Sequence, residues 1–543
     1  MSHRLHFTGG EVALPVGPPS FSRSNRYQEF GLYSMDSWKA TRKLTVNLGL
    51  RYEFFGTQHN NNQQLDSNYY FNGGGSNEFE RIANGNVLIA PDSPVGKLWA
   101  PSWKNFSPKV GFAYDLKGDG KTVVRGGYSI AYERNFGNVT FNVIQNPPNY
   151  EVVALTDGGN AAVGSMNVTT NPAGPLSGTS GVVGLPGASL RAVNPNINQS
   201  YAELYSLTLE HQIQPNVIFG VDFSGSRGIH LYDIANIKFL GDADPLARLR
   251  QTQYSNINYR SSGGISSYNA LVARIQMNNW AKHGLTLNAN YTNGHTLDEL
   301  SDTFSSSINQ NNLGYTDPYN PRLDYGNSYM DVRSRFNLSA VWEVPFAKGT
   351  SGFVKQIADG WSVAPLFIAE AGFPYTVYDS TNGYAISMRA VNANGGIPTG
   401  APHSLAITGA DDYIYTPFYS NYDSSGNPTP GAISCFNSSY VNPIMGYSDW
   451  GPFPAAMTGR NAFRGPGSWN LDLGLYKQFF LGERFKLQFR GEFYNLMNHA
   501  NLYAQTGDND IGSGFTYMDA RYGLTANGVK DLRTVQLALR LMF

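Results

Sequence analysis

Alternation with a period of two residues is the feature of this sequence that most constrains its fold. In the C-terminal segment apolar side chains occupy every second position, and polar or small side chains mostly occupy the positions between. Successive side chains of a β-strand point to opposite sides of the sheet, whereas a helix repeats about every 3.6 residues. The segment is therefore predicted to be a strand with two different sides. One side carries Val535, Leu537, Leu539, Leu541 and Phe543, and the other carries Thr534, Gln536, Ala538, Arg540 and Met542.

Three further segments, residues 44–54, 335–344 and 485–497, show the same alternation. Soluble β-sandwiches and propellers also alternate, but strands in soluble proteins average about 5–6 residues. A strand that crosses the hydrocarbon core of a membrane needs about 9–11 residues, and these segments are that long or slightly longer. Their length favours membrane-spanning strands with one side toward lipid and the other toward a wet lumen.

The connections between the alternating segments differ in length in a regular way. Outer-membrane barrels join their strands by short turns on the periplasmic side and by longer loops on the extracellular side. Brief links here lie near residues 39–42, 116–120, 214–216, 279–283 and 480–484. Between them are long stretches rich in Gly, Asn, Ser and Pro, at 56–104, 134–199, 232–264, 296–331, 380–467 and 498–531. We therefore expect the long stretches to face the outside of the cell.

The expected fold class is all-β: an antiparallel transmembrane β-barrel with about 13–14 strands. The direction of these strands indicates that the barrel is partial. Because every connection is a hairpin, the first and last of thirteen strands point the same way and cannot pair antiparallel. Closure then needs at least one more strand, from residues 1–20 or from sequence outside this chain. The thirteen strands are predicted at 27–38, 43–55, 105–115, 121–133, 200–213, 217–228, 266–278, 284–295, 332–346, 360–379, 468–479, 485–497 and 532–543.

Composition excludes several other classes of protein. Charged residues make up 15% of the chain, against about 25% in an average soluble domain, and aromatic residues make up 13%. The formal net charge of −1 provides no field that would gather nucleic acid, so no nucleic-acid partner is expected. The single cysteine, Cys435, excludes an intrachain disulfide and a multi-cysteine metal site.

The sequence contains neither a membrane-spanning helix nor a signal peptide. No stretch reaches the roughly 20 consecutive apolar residues of a spanning helix. The first residues, MSHRLHFTGGEVALPVGPPS, lack an apolar core of about 7–15 residues after the basic ones. An outer-membrane barrel is exported with a signal peptide, so we expect this chain to be a fragment or to lack its beginning. The expected location is the outer membrane of a Gram-negative bacterium.

Three blocks combine alternating strands with tight turns. They are RYQEFGLYSMDSWKATRKLTVNLGLRYEFF at 26–55, NFSPKVGFAYDLKGDGKTVVRGGYSIAYER at 105–134 and GRNAFRGPGSWNLDLGLYKQFFLGERFKLQFRGEFYNLMNHANL at 459–502. In this order they resemble the C-terminal barrel of TonB-dependent outer-membrane receptors, specifically the Oar-like group that carries a carboxypeptidase-regulatory-like domain. One small departure is Ser37, where the family often has a second acidic residue.

The resemblance implies a receptor barrel that imports a bulky nutrient, with about 22 strands around a plug domain. No segment resembles the plug, the regulatory-like domain or the energy-coupling box, so coupling to the TonB complex is expected only if the plug is supplied. We assign residues 1–25 to a poorly defined N-terminal segment and residues 26–543 to the C-terminal portion of the barrel. The expected partners are outer-membrane lipid, the barrel assembly machinery and an extracellular ligand that the sequence does not identify.

A C-terminal aromatic residue on an alternating strand resembles the signal by which the outer-membrane assembly machinery recognises its clients. We therefore predict a barrel-insertion strand formed by Val535, Leu537, Leu539, Leu541 and Phe543. The other interpretation of Phe543 is a girdle residue at the membrane interface, and both can hold.

Motifs for catalysis or cofactor binding are not found. There is no GxSxG elbow, HExxH, Walker loop or dinucleotide fingerprint, so we predict no catalytic residues, no cofactor, no metal and no enzymatic activity. His3 and His6 lack a third ligand. The pairs Asp115/Asp119 and Asp508/Asp510 resemble incomplete calcium loops, which tight turns explain more simply. The charged residues expected to face a solvated or plug-contacting lumen are Arg51, Glu53, Arg490, Glu492 and Arg540.

Two other functions are compatible with the residues. A passive porin-like or structural or adhesin barrel would close with one extra strand, and an open channel in planar bilayers would distinguish it. A secreted soluble β protein would need no detergent. The long loops, rich in Asn, Ser, Gly and Tyr, suit carbohydrate or peptide binding as well as plain solvated connections.

Overall fold

The wall of the molecule is one antiparallel sheet in which thirteen strands follow one another in chain order. All thirteen were predicted from the alternation of side chains, and all are confirmed. The strands are β1 (Glu29–Lys39), β2 (Leu44–Phe55), β3 (Phe106–Asp115), β4 (Thr122–Tyr132), β5 (Tyr201–Gln214), β6 (Val217–Asn236), β7 (Tyr254–Trp280), β8 (Leu285–Asp298), β9 (Ser334–Glu343), β10 (Trp361–Glu370), β11 (Ser468–Leu481), β12 (Phe485–Tyr494) and β13 (Thr534–Met542).

The sheet belongs to a computed structural model that covers most of the strands and part of the loops. The residues it describes are 11–14, 22–74, 81–82, 84–135, 137, 139, 146–147, 181–184, 188–237, 254–280, 282–301, 303, 315, 320–345, 351–376, 433–434, 458–481, 484–504, 516–521 and 531–543. The predictions for His3, His6, Cys435, Asp508 and Asp510 lie outside these residues.

Some strand ends differ from the prediction. Strand β10 ends at Glu370, where its pairing with both neighbours ends, opposite Arg335 of β9 and opposite Ser468, the first residue of β11. Strand β12 ends before Asn495, whose φ of 48° lies in the left-handed region and cannot continue a strand. Strands β6 and β7 reach 20 and 27 residues, longer than predicted.

The register of the sheet separates two faces. Directly opposed residues of neighbouring strands point to the same side. Leu539 of β13 lies opposite Phe489 of β12, and the next residue, Arg540, lies opposite Gln488. The side that carries Leu539 is the lipid face, and the side that carries Arg540 is the lumen face. The two-sided pattern predicted from the sequence is therefore confirmed in the pairing of the strands.

The short turns lie together at one end of the sheet. In the β3–β4 turn, both carboxylate oxygens of Asp115 accept backbone N–H groups, from Gly118 and from Gly120, each at 2.8 Å. These glycines have φ values of 83° and 72°, and Asp119 accepts the amide of Lys121 at 3.0 Å. The acidic residues thus close a tight turn, as the simpler of the two sequence interpretations predicted.

A helix and several short strands lie in the connections. Helix α1 (Gly352–Ala358) joins β9 to β10 at the short-turn end and was not predicted. No helix in the described part of the chain is long and apolar enough to cross a bilayer. The short strands are Glu11–Leu14, Asn25–Arg26, His59–Asn60, Ser67–Tyr70, Asn86–Ile89, Gly181–Gly184, Ala188–Val193, Gly326–Asn327, Pro374–Tyr375, Ile433–Ser434, Phe463–Arg464, Leu502–Ala504 and Thr516–Asp519, and the 3-10 turns are Gln63–Leu65, Ala90–Asp92 and Pro321–Asp324.

The sheet is open in this structure. Among the described residues, β1 pairs only with β2 and β13 pairs only with β12, and the two edge strands do not meet. Both edge strands run toward the short-turn end, as the odd number of hairpin-connected strands requires.

Candidate functional site

Charged side chains form a network on the lumen face, toward the short-turn end of the wall. The guanidinium of Arg274 donates to Asp222 at 2.7 Å and also pairs with Glu210, whose carboxylate pairs with Arg125 as well. The four residues come from four adjacent strands, β4 to β7, and the sheet register brings them together. The negative charges of this network are therefore neutralised within the wall.

Four of the charged residues predicted to face the lumen form two ion pairs, each within a single strand. Arg51 donates to Glu53 at 2.7 Å, and Arg490 donates to Glu492 at 2.6 Å. Residues two apart in a strand share a face, so the alternation that placed them in the lumen also places them in contact. Arg540 lies on the same face, opposite Gln488.

A shallow groove of about 450 Å³ runs over the lumen face of β1 to β6. Its floor consists of residues with small side chains or none, which leave the backbone exposed. Longer side chains stand at its rims. The floor includes Gly49, Gly111, Gly127 and Ser206, and the rims include Met35 and Lys109.

The opposite end of the wall, where the long loops lie, carries a packed structure that we call the outer loop layer. Its centre is the strand Ala188–Val193, which pairs in parallel with the outer part of β7. The side chain of Asn68 both donates to and accepts from the backbone of Val193, each at 2.8 Å. Asn146 does the same with Arg191, at 2.7 and 2.9 Å. Two asparagines from different connections therefore act as strand neighbours of this segment.

Apolar side chains fill the outer loop layer on both sides of that strand. Tyr69, Leu190 and Ile257 are fully buried in one cluster, and Trp99 and Val193 in a second. Burial of large apolar side chains stabilises a structure by about 1.5–3 kcal/mol each. The described parts of these long loops are thus built into a core, which their Gly- and Asn-rich composition did not predict.

Among the carboxylic acids of the outer loop layer, Asp233 has the pKa that departs most from its usual value. It lies on the outer extension of β6, beyond the register shift that follows Gly228, and accepts hydrogen bonds from the Gly263 amide at 2.7 Å and the Tyr315 hydroxyl at 3.2 Å. Burial raises its pKa to about 6, although both hydrogen bonds favour the charged form and oppose that shift. Burial also raises the pKa of Glu299.

The stability of the outer loop layer is therefore expected to fall as the pH rises through about 6. The carboxyl of Asp233 folds without penalty when protonated, and above its folded-state pKa the buried charge costs up to about 3 kcal/mol. Hydrogen exchange of the Gly263 amide, corrected for its intrinsic rate, should become faster between pH 4.5 and pH 7.5. The variant Asp233→Asn should lose most of this dependence, and the slope that remains is assigned to Glu299. An identical pH dependence in both proteins would contradict the prediction.

A second buried assembly, the arginine clamp, lies at the outer ends of β8 to β11. It consists of Arg460 and Arg464 with Asp298 and Asp331. Arg460 pairs with the Asp298 carboxylate, and it also donates to the Asp324 carbonyl at 2.6 Å. Arg464 pairs with the Asp331 carboxylate and donates to the Asp331 carbonyl at 3.1 Å.

Asn461, which directly follows Arg460, adds side-chain hydrogen bonds to the arginine clamp. Asn461 donates to the Asn327 carbonyl at 2.7 Å, and Asn327 donates back to the Asn461 carbonyl at 2.8 Å. The Asn461 amide also accepts from Thr376 at 3.0 Å. Two connections, β8–β9 and β10–β11, are thus fixed to each other by polar contacts, and Thr376 near the start of the second connection is fixed to Asn461 near its end.

The arginine clamp was not predicted, although both of its arginines lie in the sequence block at 459–502. The only local signal was the spacing GRNAFRG, with two arginines among glycines just before a strand. A solvated loop has the same composition. Arg460 and Asp298 are 162 positions apart, so no local pattern could pair them.

The residues predicted to form a barrel-insertion strand share the lipid face of β13. All five are exposed, and Phe543, just past the end of the strand, is the most exposed at 96%. No group of His, Cys, Asp and Glu with metal-binding geometry occurs among the described residues.

The sequence profile of the outer membrane beta barrel domain matches residues 7–536. The chain belongs to this family. The outer membrane beta-barrel domain therefore lies in the outer membrane, with the lipid face of the sheet against the bilayer. No curated protein matches it in sequence.

Solved structures with a similar fold are outer-membrane proteins, at low sequence identity. The ferripyoverdine receptor of Pseudomonas aeruginosa is 9% identical, with a TM-score of 0.42 over 97% of this chain and 40% of the receptor. The outer membrane transporter YddB from Escherichia coli is 10% identical, with a TM-score of 0.41 over 95% of this chain and 54% of YddB. The FrpB iron transporter from Neisseria meningitidis is 9% identical, with a TM-score of 0.40 over 96% and 46%. The domain thus spans about half or less of the length of these proteins.

Proposed function

We propose that this outer membrane beta-barrel domain is the barrel portion of an outer-membrane receptor that imports a bulky nutrient, of the TonB-dependent, Oar-like type. In this proposal residues 26–543 are the C-terminal portion of the barrel and residues 1–25 are a separate segment. The plug that such receptors carry would be supplied by sequence outside this chain. Coupling to the TonB complex would depend on that plug.

The proposal rests on the fixed arrangement of the described connections at the outer end of the wall. A passive pore needs only a clear lumen, whereas a receptor needs loops held in a fixed arrangement, since loops positioned by a rigid scaffold carry binding sites. Here buried aromatic residues such as Tyr69 and Trp99, and buried ion pairs such as Arg460 with Asp298, fix the outer connections. The quoted sequence blocks then favour a TonB-dependent receptor over a structural barrel.

The lumen face supports binding and transport rather than catalysis. The carboxylates of Glu210, Asp222 and Glu492 each accept from an arginine, so none of these acids is poised as a free base. We therefore propose no cofactor and no enzymatic reaction. The ligand would be a molecule from outside the cell that meets the outer loop layer first.

The exposed strand β13 supports a proposed route of assembly. Val535, Leu537, Leu539, Leu541 and Phe543 form a continuous apolar row that ends in an exposed aromatic side chain. We propose that the barrel assembly machinery binds this row, and that outer-membrane lipid covers it after insertion. Deletion of Phe543 then impairs insertion.

Two independent measurements test the receptor proposal. The full chain, refolded and inserted into planar bilayers in potassium chloride, should give no steady, long-lived conductance, because the edge strands β1 and β13 do not meet in the described part of the chain. The gene immediately upstream of Met1 should encode, in frame, a plug and further strands. A stable open channel from this chain alone, with no plug-coding sequence upstream, would overturn the proposal in favour of a passive pore.

A further inference from the structure

Helix α1 presents three large apolar side chains at the short-turn end of the wall. Phe353, Val354 and Ile357 are all exposed, Phe353 to 79% of its surface. A seven-residue helix is too short to be stable by itself, since isolated helices need about 12–15 residues. Contacts with the wall must therefore hold it in place.

The helix is fixed to the edge of β11. The side-chain amide of Gln356 donates to the Phe480 carbonyl at 2.7 Å and accepts from the Phe480 amide at 3.1 Å. Strand β11 continues past its last pairing with β10, between Lys477 and Trp361. Gln356 therefore takes the place of a strand neighbour and satisfies backbone groups that β10 does not reach.

The orientation of the helix follows from Lys355. Its ammonium lies 5.0 Å from the centre of the Phe480 ring, and Phe480 is opposite Lys486 on the lumen face. Successive helical residues are rotated by about 100°, so Phe353 and Ile357 lie on the side of the helix opposite Lys355. Phe353 and Ile357 are therefore turned toward the lipid side of the wall, and Val354 lies beside Ile357 on the same apolar face of the helix.

Contacts at the end of the helix give the same orientation independently. The indole N–H of Trp361 donates to the Ile357 carbonyl at 2.8 Å, and the ammonium of Lys477 binds the Asp359 carbonyl. Trp361 and Lys477 are opposed residues on the lipid face. The C-terminal end of the helix is thus attached to the lipid side.

The helix continues a belt of aromatic side chains around the same end of the wall. Tryptophan is enriched where the hydrocarbon core meets the headgroups, because its ring is apolar and its N–H is polar. The exposed aromatic side chains at this end of the lipid face include Trp38, Trp280, Trp342, Phe485 and Phe543.

We infer that α1 is an interfacial anchor that lies in the periplasmic leaflet of the outer membrane. Phe353, Val354 and Ile357 enter the boundary between headgroups and acyl chains, while Gln356 holds the helix to β11. The apolar face is continuous with the lipid face of the sheet, which makes lipid its occupant rather than a periplasmic protein. The inference concerns how the wall is seated in the membrane and does not depend on transport.

Fluorescence quenching in vesicles tests the anchor. In the full chain with Cys435→Ser, a single cysteine replaces Phe353, Val354 or Ile357 and carries an environment-sensitive fluorophore. The matched control is Asp119→Cys, in the exposed β3–β4 turn at the same end. All four proteins are inserted into phosphatidylcholine vesicles, with a quencher either near the headgroup end of the acyl chain or, as iodide, in the water.

The labels at the three helix positions should emit at shorter wavelength than the label at position 119. They should lose most of their fluorescence to the lipid-borne quencher and little to iodide, with the opposite result for the control. Labels at the helix that behave like the control would overturn the inference. Labels shielded from both quenchers would also overturn it, because they would show that protein covers the helix. Since all three side chains are exposed, their replacement leaves the contacts of Gln356 intact.

Discussion

Leu537→Arg in β13 is expected to prevent most of the chain from reaching a folded state in the membrane. Leu537 is exposed on the lipid face near the middle of the strand, where the bilayer midplane is expected. A positive charge at such a position destabilises a membrane barrel by about 2–4 kcal/mol. The fraction of folded protein in the outer membrane, measured by heat-modifiable mobility in electrophoresis, should fall sharply.

The adjacent variant Gln536→Arg is the matched control. Gln536 is on the lumen face and lies opposite Glu492, so the same added charge meets water and a carboxylate instead of lipid. It should assemble nearly as well as the unaltered chain. Deletion of Phe543 in the same assay separates recognition by the assembly machinery from the cost of the charge. Equal assembly of Leu537→Arg and Gln536→Arg would contradict the two-faced wall.

The wall could be predicted from the sequence because its information is local. Each spanning strand shows its two environments in consecutive residues, as Leu539 and Arg540 do in β13. The direction of each hairpin then follows from the chain, and so does the unpaired state of the edge strands. Strand ends were less certain, because they depend on where the neighbouring strands stop pairing, as β10 does at Glu370.

The outer loop layer could not be predicted because its contacts join distant segments. Asn68 and Val193 are 125 positions apart, yet their mutual hydrogen bonds order two connections. The outer extension of β7 also pairs in parallel with Ala188–Val193, a pairing that no hairpin pattern predicts. Helix α1 was missed for a different reason: seven residues complete only about two turns, too few to show a helical period.

Arg460→Ala is expected to loosen the outer end of the wall while leaving the thirteen strands in place. The Arg460 side chain is buried, with its guanidinium held by the Asp298 carboxylate and the Ser301 hydroxyl. Removing one partner of a buried ion pair leaves the other charge without compensation and costs about 3–5 kcal/mol. Brief proteolysis of intact outer membranes should therefore cut the β8–β9 and β10–β11 connections much faster than in the unaltered protein.

Arg335→Ala is the control that distinguishes the clamp from arginine loss in general. Arg335 also pairs with an acid, Glu370, but at 3.7 Å and with half of its side chain exposed, so its loss should cost at most about 1 kcal/mol. Heat-modifiable mobility should be normal in both variants, because neither residue faces lipid. If the two variants show the same protection from proteolysis, Arg460 does not fix the outer connections. If only Arg460→Ala is cut rapidly, the buried ion pair between Arg460 and Asp298 holds the outer connections in place. The proposed receptor depends on that fixed arrangement, and the ion pair that maintains it lies outside the membrane.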